Sequence, residues 1–245
     1  MKRVLLSALL VTSSAIAVAC QPTPPTTSQS SQDASPAPVS TTAQTPGFDE
    51  ALYLFANPDV KDLIKKGKYK SGLDHYTQVG QTAKKPDGED YESFFTGTHG
   101  NDTVQGFGKG EHAHFAGVKI EIVSKPGDPL PLRPQSLGQG EVDVLVGTKE
   151  GGNEFLLGSF ITSVSPKAEP FYVGKGEADY ARIQNFNTSK DGVVLAGDPK
   201  QYTFVPTDGT VRISTVSGDL VAIVEGVDKL EVGEISKEYG VFSLK

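Results

Sequence analysis

Glycine residues recur along the chain five or six residues before a polar, usually acidic, residue that an apolar residue follows two positions later, and this spacing limits the fold more than any other feature. In Gly97–Gln105, the glycines at 97 and 100 are followed by Asp102 and, two residues later, by Val104. Glycine permits a tight turn, and the residues after it can alternate in direction as in a short strand. Units of about nine residues bury their apolar position only when several turns stack. We therefore expect stacked β turns, with Asp102 near a turn and Val104 inside.

Three further copies of this unit are degenerate. They place a polar residue where Asp102 stands in the first copy: Glu111 in 106–114, Asp143 in 138–146 and Asn153 in 147–156. The copies come in two consecutive pairs, and a long segment of chain separates the pairs.

These repeats resemble the hemolysin-type (RTX-like) calcium-binding family, whose repeat reads G-G-x-G-x-D-x-U-x with U apolar. The resemblance spans about residues 97 to 232, and within the family the chain is most similar to a degenerate branch. It extends through Gly140–Asp143, Phe155–Gly158, Asp179–Ala181 and Asp219–Val224. The resemblance implies a β-roll that holds Ca²⁺ between neighbouring turns. The metal ligands that it implies are Asp102, Glu111, Asp143 and Asn153.

The ligand set leaves two interpretations open. Ca²⁺ takes 6 to 8 oxygen ligands, and each pair of turns here combines one aspartate with an altered partner, Glu111 or Asn153. One interpretation is weak Ca²⁺ binding, in the ~10⁻⁴ to 10⁻³ M range of extracellular modules. The other is a β scaffold that has lost its metal.

The segment before the repeats has helical periodicity. Asn57-Pro58-Asp59 is typical of a helix start, Gly67 of a helix end, and Ser71 of a cap for a third short helix. Together with His75 and Gly80, these residues resemble a short NPDV-type repeat of secreted bacterial proteins. We expect His75 to be a packing or capping residue.

After about residue 94 the period changes to that of strands. Val142–Val146, Val211–Ile213 and Leu220–Val224 alternate, and the turn at 216–219 predicts a hairpin. The predicted fold class is α+β. A small three-helix N-terminal module (48–93) is followed by a mainly β, degenerate β-roll-like or antiparallel domain (94–245).

The start of the chain is typical of an exported lipoprotein. Lys2 and Arg3 precede an uncharged stretch, Val4–Ala19, which is short for a membrane span and ends before Cys20, the only cysteine. We expect a signal peptide (1–19), lipidation of Cys20 and a disordered Pro/Ser/Thr-rich tether (20–47). Gln21 rather than aspartate after the cysteine favours the outer membrane.

Composition and motifs favour a binding or structural role outside the cytoplasm. The formal net charge of −7 excludes the basic footprint of a nucleic-acid-binding protein. His112 and His114 have a spacing that zinc ligands can use, but we expect them to be exposed loop residues. No catalytic motif stands out, so we do not expect an enzyme. The alternative is a hydrolase with an unrecognised active site in the β domain. The expected partners are the membrane, through the lipid, and an extracellular or envelope ligand.

Overall fold

The computed structural model describes residues 47–109, 111–123 and 130–245, and these are mainly β. The helices are short: α1 (Glu50–Ala56), α2 (Pro58–Lys65) and α3 (Gly72–His75), which continues as a π-helical turn (Tyr76–Gly80). The strands are β1 (Gly47–Phe48), β2 (Ser93–Thr96), β3 (Thr103–Gln105), β4 (Ala113–Ala116), β5 (Ile120–Ile122), β6 (Leu132–Pro134), β7 (Val142–Val146), β8 (Asn153–Leu156), β9 (Tyr180–Gln184), β10 (Gly192–Ala196), β11 (Tyr202–Thr207), β12 (Thr210–Thr215), β13 (Leu220–Glu225), β14 (Val232–Ser236) and β15 (Val241–Leu244). A 3₁₀ turn (Pro199–Gln201) precedes β11.

Most of the strands form two sheets between which the chain alternates. One sheet has the order β1-β2-β4-β8-β10-β15-β14, and the other has the order β11-β12-β13-β9-β7-β3. Neighbours among β2, β4, β8 and β10 are parallel, as are neighbours among β3, β7, β9 and β13. Successive strands such as β2, β3 and β4 therefore lie in alternate sheets, which is a β-solenoid-like arrangement.

The apolar positions of the repeats form columns inside this solenoid. In the six-stranded sheet, strand pairing aligns Val104, Leu145, Ile183 and Val224, all of them buried. In the seven-stranded sheet, it aligns Phe95, Phe115, Phe155 and Val193 in the same way. The prediction that Val104 points inward is confirmed. The two columns belong to one buried cluster, because each coil contributes one apolar side chain from each sheet.

Antiparallel pairs complete the sheets. β5 and β6 form a separate hairpin between the first and second pairs of repeats. β12 and β13 are antiparallel and joined by the turn at 216–219, which confirms the predicted hairpin. At the far edge of the seven-stranded sheet, β14 and β15 continue antiparallel from β10.

The second and third helices form at the predicted signals, with one difference at Asn57. Pro58 is the first residue of α2, Gly67 follows that helix with φ +73°, and the Ser71 hydroxyl accepts the backbone N–H of Asp74. The Asn57 side chain does not cap the start of α2, and its Nδ2 donates to the carbonyl of Tyr53 in α1. It also donates to the carbonyl of Glu92, just before β2.

A separate three-helix module is not supported. Tyr53, Val60 and Tyr76 from the helical segment belong to the same buried cluster as Phe95 of β2. Asp49, which caps α1, also lies 2.6 Å from the Nζ of Lys119 beyond β4. The helices therefore share the core of the β structure, because helices this short cannot bury enough apolar surface by themselves.

The predicted signal peptide and the lipidated Cys20 lie outside the described residues. The predicted tether does too, apart from Gly47, which pairs with Thr96 as part of β1. Among the helices that the structure describes, none is long and apolar enough to cross a bilayer.

Candidate functional site

The chain changes sheets at two corners, and the acidic positions of the repeats lie at them. We call "first corner" the turns that lead from the seven-stranded to the six-stranded sheet, and "second corner" the turns that lead back. At the first corner, β3 pairs with β7 in parallel, and Thr103 is opposite Val144. Asp102 and Asp143 each come one residue earlier, so they lie side by side. The next coils have Ala181 and Ala222 in the same column. The aspartate position is therefore retained in the first two coils only.

Hydrogen bonds hold both aspartates in place. The backbone N–H of Asp102 donates to Oδ1 of Asp143 at 2.8 Å, which links the two coils. The hydroxyl of Tyr172 donates to the other oxygen of Asp143 at 2.6 Å. Oδ2 of Asp102 accepts the backbone N–H and the hydroxyl of Thr98, in the turn after β2. These donors close the corner around the carboxylates.

Tyr172 is held in an unusual backbone conformation. It is fully buried and has φ +57°, which is rare for a bulky residue and is tolerated only where the surroundings compensate. Its hydroxyl lies so close to Gly117 that a Cβ there would be 2.0 Å from it. A Cβ at Gly117 would also be 2.2 Å from Oδ2 of Asp143, so the glycine that ends β4 leaves the space that this contact occupies.

The first corner is strongly acidic. Burial is the main cause that raises the pKa of Asp143 to about 6, and the negative charges of Glu141 and Asp102 add to it. The hydrogen bonds from Tyr172 and from the amide of Asp102 offset part of this rise. Burial, and then the charge of Asp143, hold the pKa of Tyr172 well above its ordinary value, so its hydroxyl remains a donor. A proton or a cation would relieve the charge of this corner.

Two carboxylate oxygens at this corner are buried and have no hydrogen-bond partner in the described part of the chain. They are Oε2 of Glu141 and Oδ1 of Asp179. The residues are neighbours on adjacent coils, because the N–H of Tyr180 donates to the carbonyl of Glu141 and Oδ2 of Asp179 accepts the N–H of Gly140 at 3.3 Å. An unpaired buried oxygen is costly, so its presence is a reason to look for a ligand.

The second corner is closed by amide donors. Asp191 is buried and accepts three of them, from the backbone and side chain of Asn153 and from the backbone of Asn187, at 2.8 to 2.9 Å. Oδ1 of Asn153 in turn accepts the N–H and the hydroxyl of Thr148. N–H groups directed at these oxygens disfavour a cation there.

The predicted ligand pairs are not brought together. Asp102 precedes β3 at the first corner, whereas Glu111 is exposed and precedes β4 at the second. In the same way, Asp143 is the second residue of β7, at the first corner, and Asn153 is the first residue of β8, at the second. The structure instead pairs Asp102 with Asp143, and Asn153 with Asp191. In the described residues, no three His, Cys, Asp or Glu side chains are arranged to share a metal ion.

Sequence reasoning missed the roles of Glu141, Tyr172, Asp179 and Asp191. A signal existed for two of them. Asp179 follows the glycine at 176 as Asp143 follows the glycine at 140, and Glu141 lies two residues before Asp143, on the same side of an alternating strand. Tyr172 lies in the long segment between β8 and β9, which carries no repeat.

One histidine agrees with the expectation from the sequence, and another does not. His75 is buried, with Nδ1 2.7 Å from the hydroxyl of Tyr53, which confirms a packing role. The prediction that His114 lies in an exposed loop is wrong, because this residue lies in β4 and is only 4% exposed. Its Nε2 lies 2.8 Å from Glu92, and its Nδ1 lies 3.3 Å from Glu154. Each ring nitrogen faces a different carboxylate.

We expect Asp143→Asn to remove one component of the pH dependence of stability. Because the pKa of Asp143 is raised, this group favours folding below its ordinary value of 3.8, and that contribution is lost as pH rises through about 6. The uncharged asparagine can accept the backbone N–H of Asp102 through Oδ1 and donate through Nδ2 to the hydroxyl oxygen of Tyr172, which reverses the direction of the second hydrogen bond. Between pH 4 and 7 the natural protein should therefore lose stability that the variant keeps. The difference in the free energy of unfolding should change by up to about 2–3 kcal/mol in favour of the variant. Urea unfolding across this range measures the difference.

Asp228→Asn, at an exposed carboxylate, is the control. If the stability of Asp143→Asn varied with pH in parallel with that of the natural protein, the raised pKa of Asp143 would be refuted.

Comparison with protein-family models and with curated proteins finds no match to this sequence. The likeness to hemolysin-type repeats therefore rests on the motifs of the chain itself.

Proposed function

We propose that this chain is a lipid-anchored protein of the cell envelope with a binding or structural role. The sequence supports this through the charged start, the uncharged stretch 4–19 and the single Cys20. The fold supports it through stacked coils, which present loops from every coil along their corners. We infer no catalytic activity. In this proposal, lipidated Cys20 and a tether (20–47) hold the folded part away from the outer membrane.

We further propose that the folded part is a degenerate relative of the hemolysin-type β-roll, preceded by the NPDV-type helical segment. The observation that carries this is the stacking of Asp102 on Asp143 at one corner, with Val104 and Leu145 directly inside them. The acid and the apolar residue of two repeats thus occupy the same places in successive coils, as the repeat pattern requires.

Calcium would serve this fold as a weak stabiliser of the first corner. Of the residues in the sequence prediction, Asp102 and Asp143 lie at this corner, but Oδ2 of Asp102 and both oxygens of Asp143 already accept hydrogen bonds. Glu111 and Asn153 do not fit, since they belong to the second corner. We propose that one oxygen of Glu141 and one of Asp179 would contact the ion, because each of them is buried without a hydrogen-bond partner. The ion would supply positive charge to a buried acidic cluster.

We expect calcium to raise the melting temperature by only a few degrees. Binding tenfold above Kd stabilises a folded protein by about 1.4 kcal/mol, and for a domain of this size that corresponds to roughly 2–6 °C. Thermal unfolding with ~10 mM CaCl₂, a concentration about tenfold above a Kd near 10⁻³ M, should show this shift. It should be lost in Glu141→Gln and Asp179→Asn but kept in Glu111→Gln, the matched control at the second corner. The absence of any shift would favour the metal-free scaffold, and equal loss in Glu111→Gln would refute the assignment to the first corner.

Replacing Cys20 by alanine should release the protein from the membrane fraction, because the acyl chains attach through this thiol. Cell fractionation measures the distribution, and mass spectrometry of the natural N-terminus should find a diacylglyceryl cysteine. Ser14→Ala, which keeps the cysteine, is the control and should stay with the membrane. A free thiol at the mature N-terminus would refute lipid anchoring.

A further inference from the structure

A cleft of about 590 Å³ opens where three coils meet at the second corner. Its walls come from the loops that follow β7, β9 and β13, three adjacent parallel strands of the six-stranded sheet. The lining side chains are Lys149, Asn185, Phe186, Asn187, Thr188 and Glu225. Loops that a rigid sheet positions in this way are common places for ligand recognition, and the size lies within the ~300–1,000 Å³ range of ligand pockets.

Contacts within the protein fix the walls of this cleft. Asn185 has φ +63°, a conformation that asparagine tolerates better than most residues, and its Nδ2 donates to the carbonyl of Gly147 on the neighbouring coil. Glu225 accepts hydrogen bonds from Arg182 at 2.7 Å and from Gln184 at 3.1 Å, which orient its carboxylate. A ligand would therefore meet polar groups that are already ordered, which lowers the entropic cost of binding.

The chemistry of the lining favours a neutral ligand with many hydroxyl groups. The amides of Asn185 and Asn187 and the hydroxyl of Thr188 can each donate and accept hydrogen bonds. The lining contains one cation, Lys149, and one anion, Glu225, which is already paired with Arg182, so no cluster of like charges selects an anion or a cation. Phe186 adds an apolar surface, since it is only partly buried and packs its ring 6.0 Å from that of Phe155.

We propose that this cleft binds a neutral oligosaccharide. A sugar ring combines hydroxyl groups around its edge with an apolar C–H face, which matches amide and hydroxyl groups beside one aromatic ring. The inference deepens the proposed binding role in the cell envelope and rests on it. It does not depend on calcium, because the cleft lies at the second corner, away from Glu141 and Asp179.

Calorimetric titration of the full chain in detergent with neutral hexasaccharides tests the proposal. A panel of cello-, malto- and chito-oligosaccharides samples different linkages. At least one should bind, and Phe186→Leu, which keeps an apolar side chain but removes the ring, should weaken binding about 3- to 10-fold. Glu225→Gln should also weaken it, while Phe107→Leu, at an exposed aromatic residue outside the cleft, should not. Thermal melting of each variant confirms that it is folded.

The outcomes separate this proposal from the others. If no neutral oligosaccharide of the panel binds, or if binding is unchanged in both Phe186→Leu and Glu225→Gln, the saccharide site is refuted. Binding of acidic oligosaccharides alone would also refute it. The same titration in EDTA should give the same affinity. Membrane release of the Cys20→Ala protein, measured separately, reports on anchoring whatever the cleft binds.

Discussion

Replacing His114 by alanine should lower the free energy of unfolding by about 3–5 kcal/mol, the usual cost of removing one partner of a buried ion pair. His114 is 4% exposed and lies between Glu92 and Glu154, and the ring of Phe94 stacks on it at 4.7 Å. The alanine variant leaves the buried carboxylate of Glu92 and the partly buried carboxylate of Glu154 without their cation. Urea unfolding at pH 7 measures the loss.

The same site predicts a dependence on pH. Burial by itself lowers the pKa of His114, but the hydrogen bonds and charges of Glu154 and Glu92 outweigh it and raise the pKa to about 10. A raised pKa means that the stabilisation is complete below the ordinary value of 6.5 and is lost as pH rises through about 10. The difference in unfolding free energy between the natural protein and His114→Ala should therefore shrink between pH 6.5 and 10.

His112→Ala is the matched control for both measurements. His112 lies two residues earlier, its side chain is 42% exposed, and it lies 3.3 Å from the partly exposed Asp90. Ion pairs of this kind are worth about 0–1 kcal/mol, so this variant should remain close to the natural protein. If His114→Ala lowered the free energy of unfolding no more than His112→Ala does, the claim that His114 is a stabilising cation between two carboxylates would be refuted.

Replacing Phe115 by alanine should also cost about 3–5 kcal/mol, through a cavity in the aromatic column. Phe115 is fully buried, with its ring stacked between Phe95 at 5.1 Å and Phe155 at 5.2 Å. Every coil depends on its neighbours for burial, so the loss should be felt by the coils on both sides. Guanidinium unfolding measures the change in stability.

Two variants calibrate this result. Phe115→Leu fills most of the space and should cost clearly less than alanine. Val216→Ala, at a side chain that is 66% exposed, should change the stability by no more than about 0.5 kcal/mol. A cost below ~1 kcal/mol for Phe115→Ala would mean that the column is not a main source of the stability of the solenoid.

Local features of the fold were predictable because each depends on a few consecutive residues. β7 has the bounds Val142–Val146 that its alternating pattern predicts, and the turn at 216–219 joins two antiparallel strands. Pro58, Gly67 and Ser71 mark helix ends through backbone chemistry that needs no tertiary contact. The inward direction of Val104 follows from the repeat in the same way.

The partners of the acidic residues could not be read from the sequence. Adjacent repeats in the chain lie at opposite corners, since the chain changes sheet after each strand. The residues that stack therefore come from repeats that are not adjacent in the chain. The hairpin β5–β6 and the segment between β8 and β9 are inserted between coils, so no constant period links Asp102, Asp143 and Asp179. The sequence pattern therefore groups Glu111 with Asp102 and Asn153 with Asp143, whereas the fold places the members of each pair at opposite corners.

The sequence by itself determined where the chain turns, which residues point inward and that acids follow the glycines, because backbone preferences and side-chain alternation are local. Only the tertiary structure decided which acids meet, which of their oxygens stay unpaired and where the cleft opens. Tyr172 reaches Asp143 from 29 residues away, and Glu92 and Glu154 reach His114 from 22 residues before it and from 40 residues after it. The charge and burial of these groups depend on neighbours that only the stacking of coils brings together.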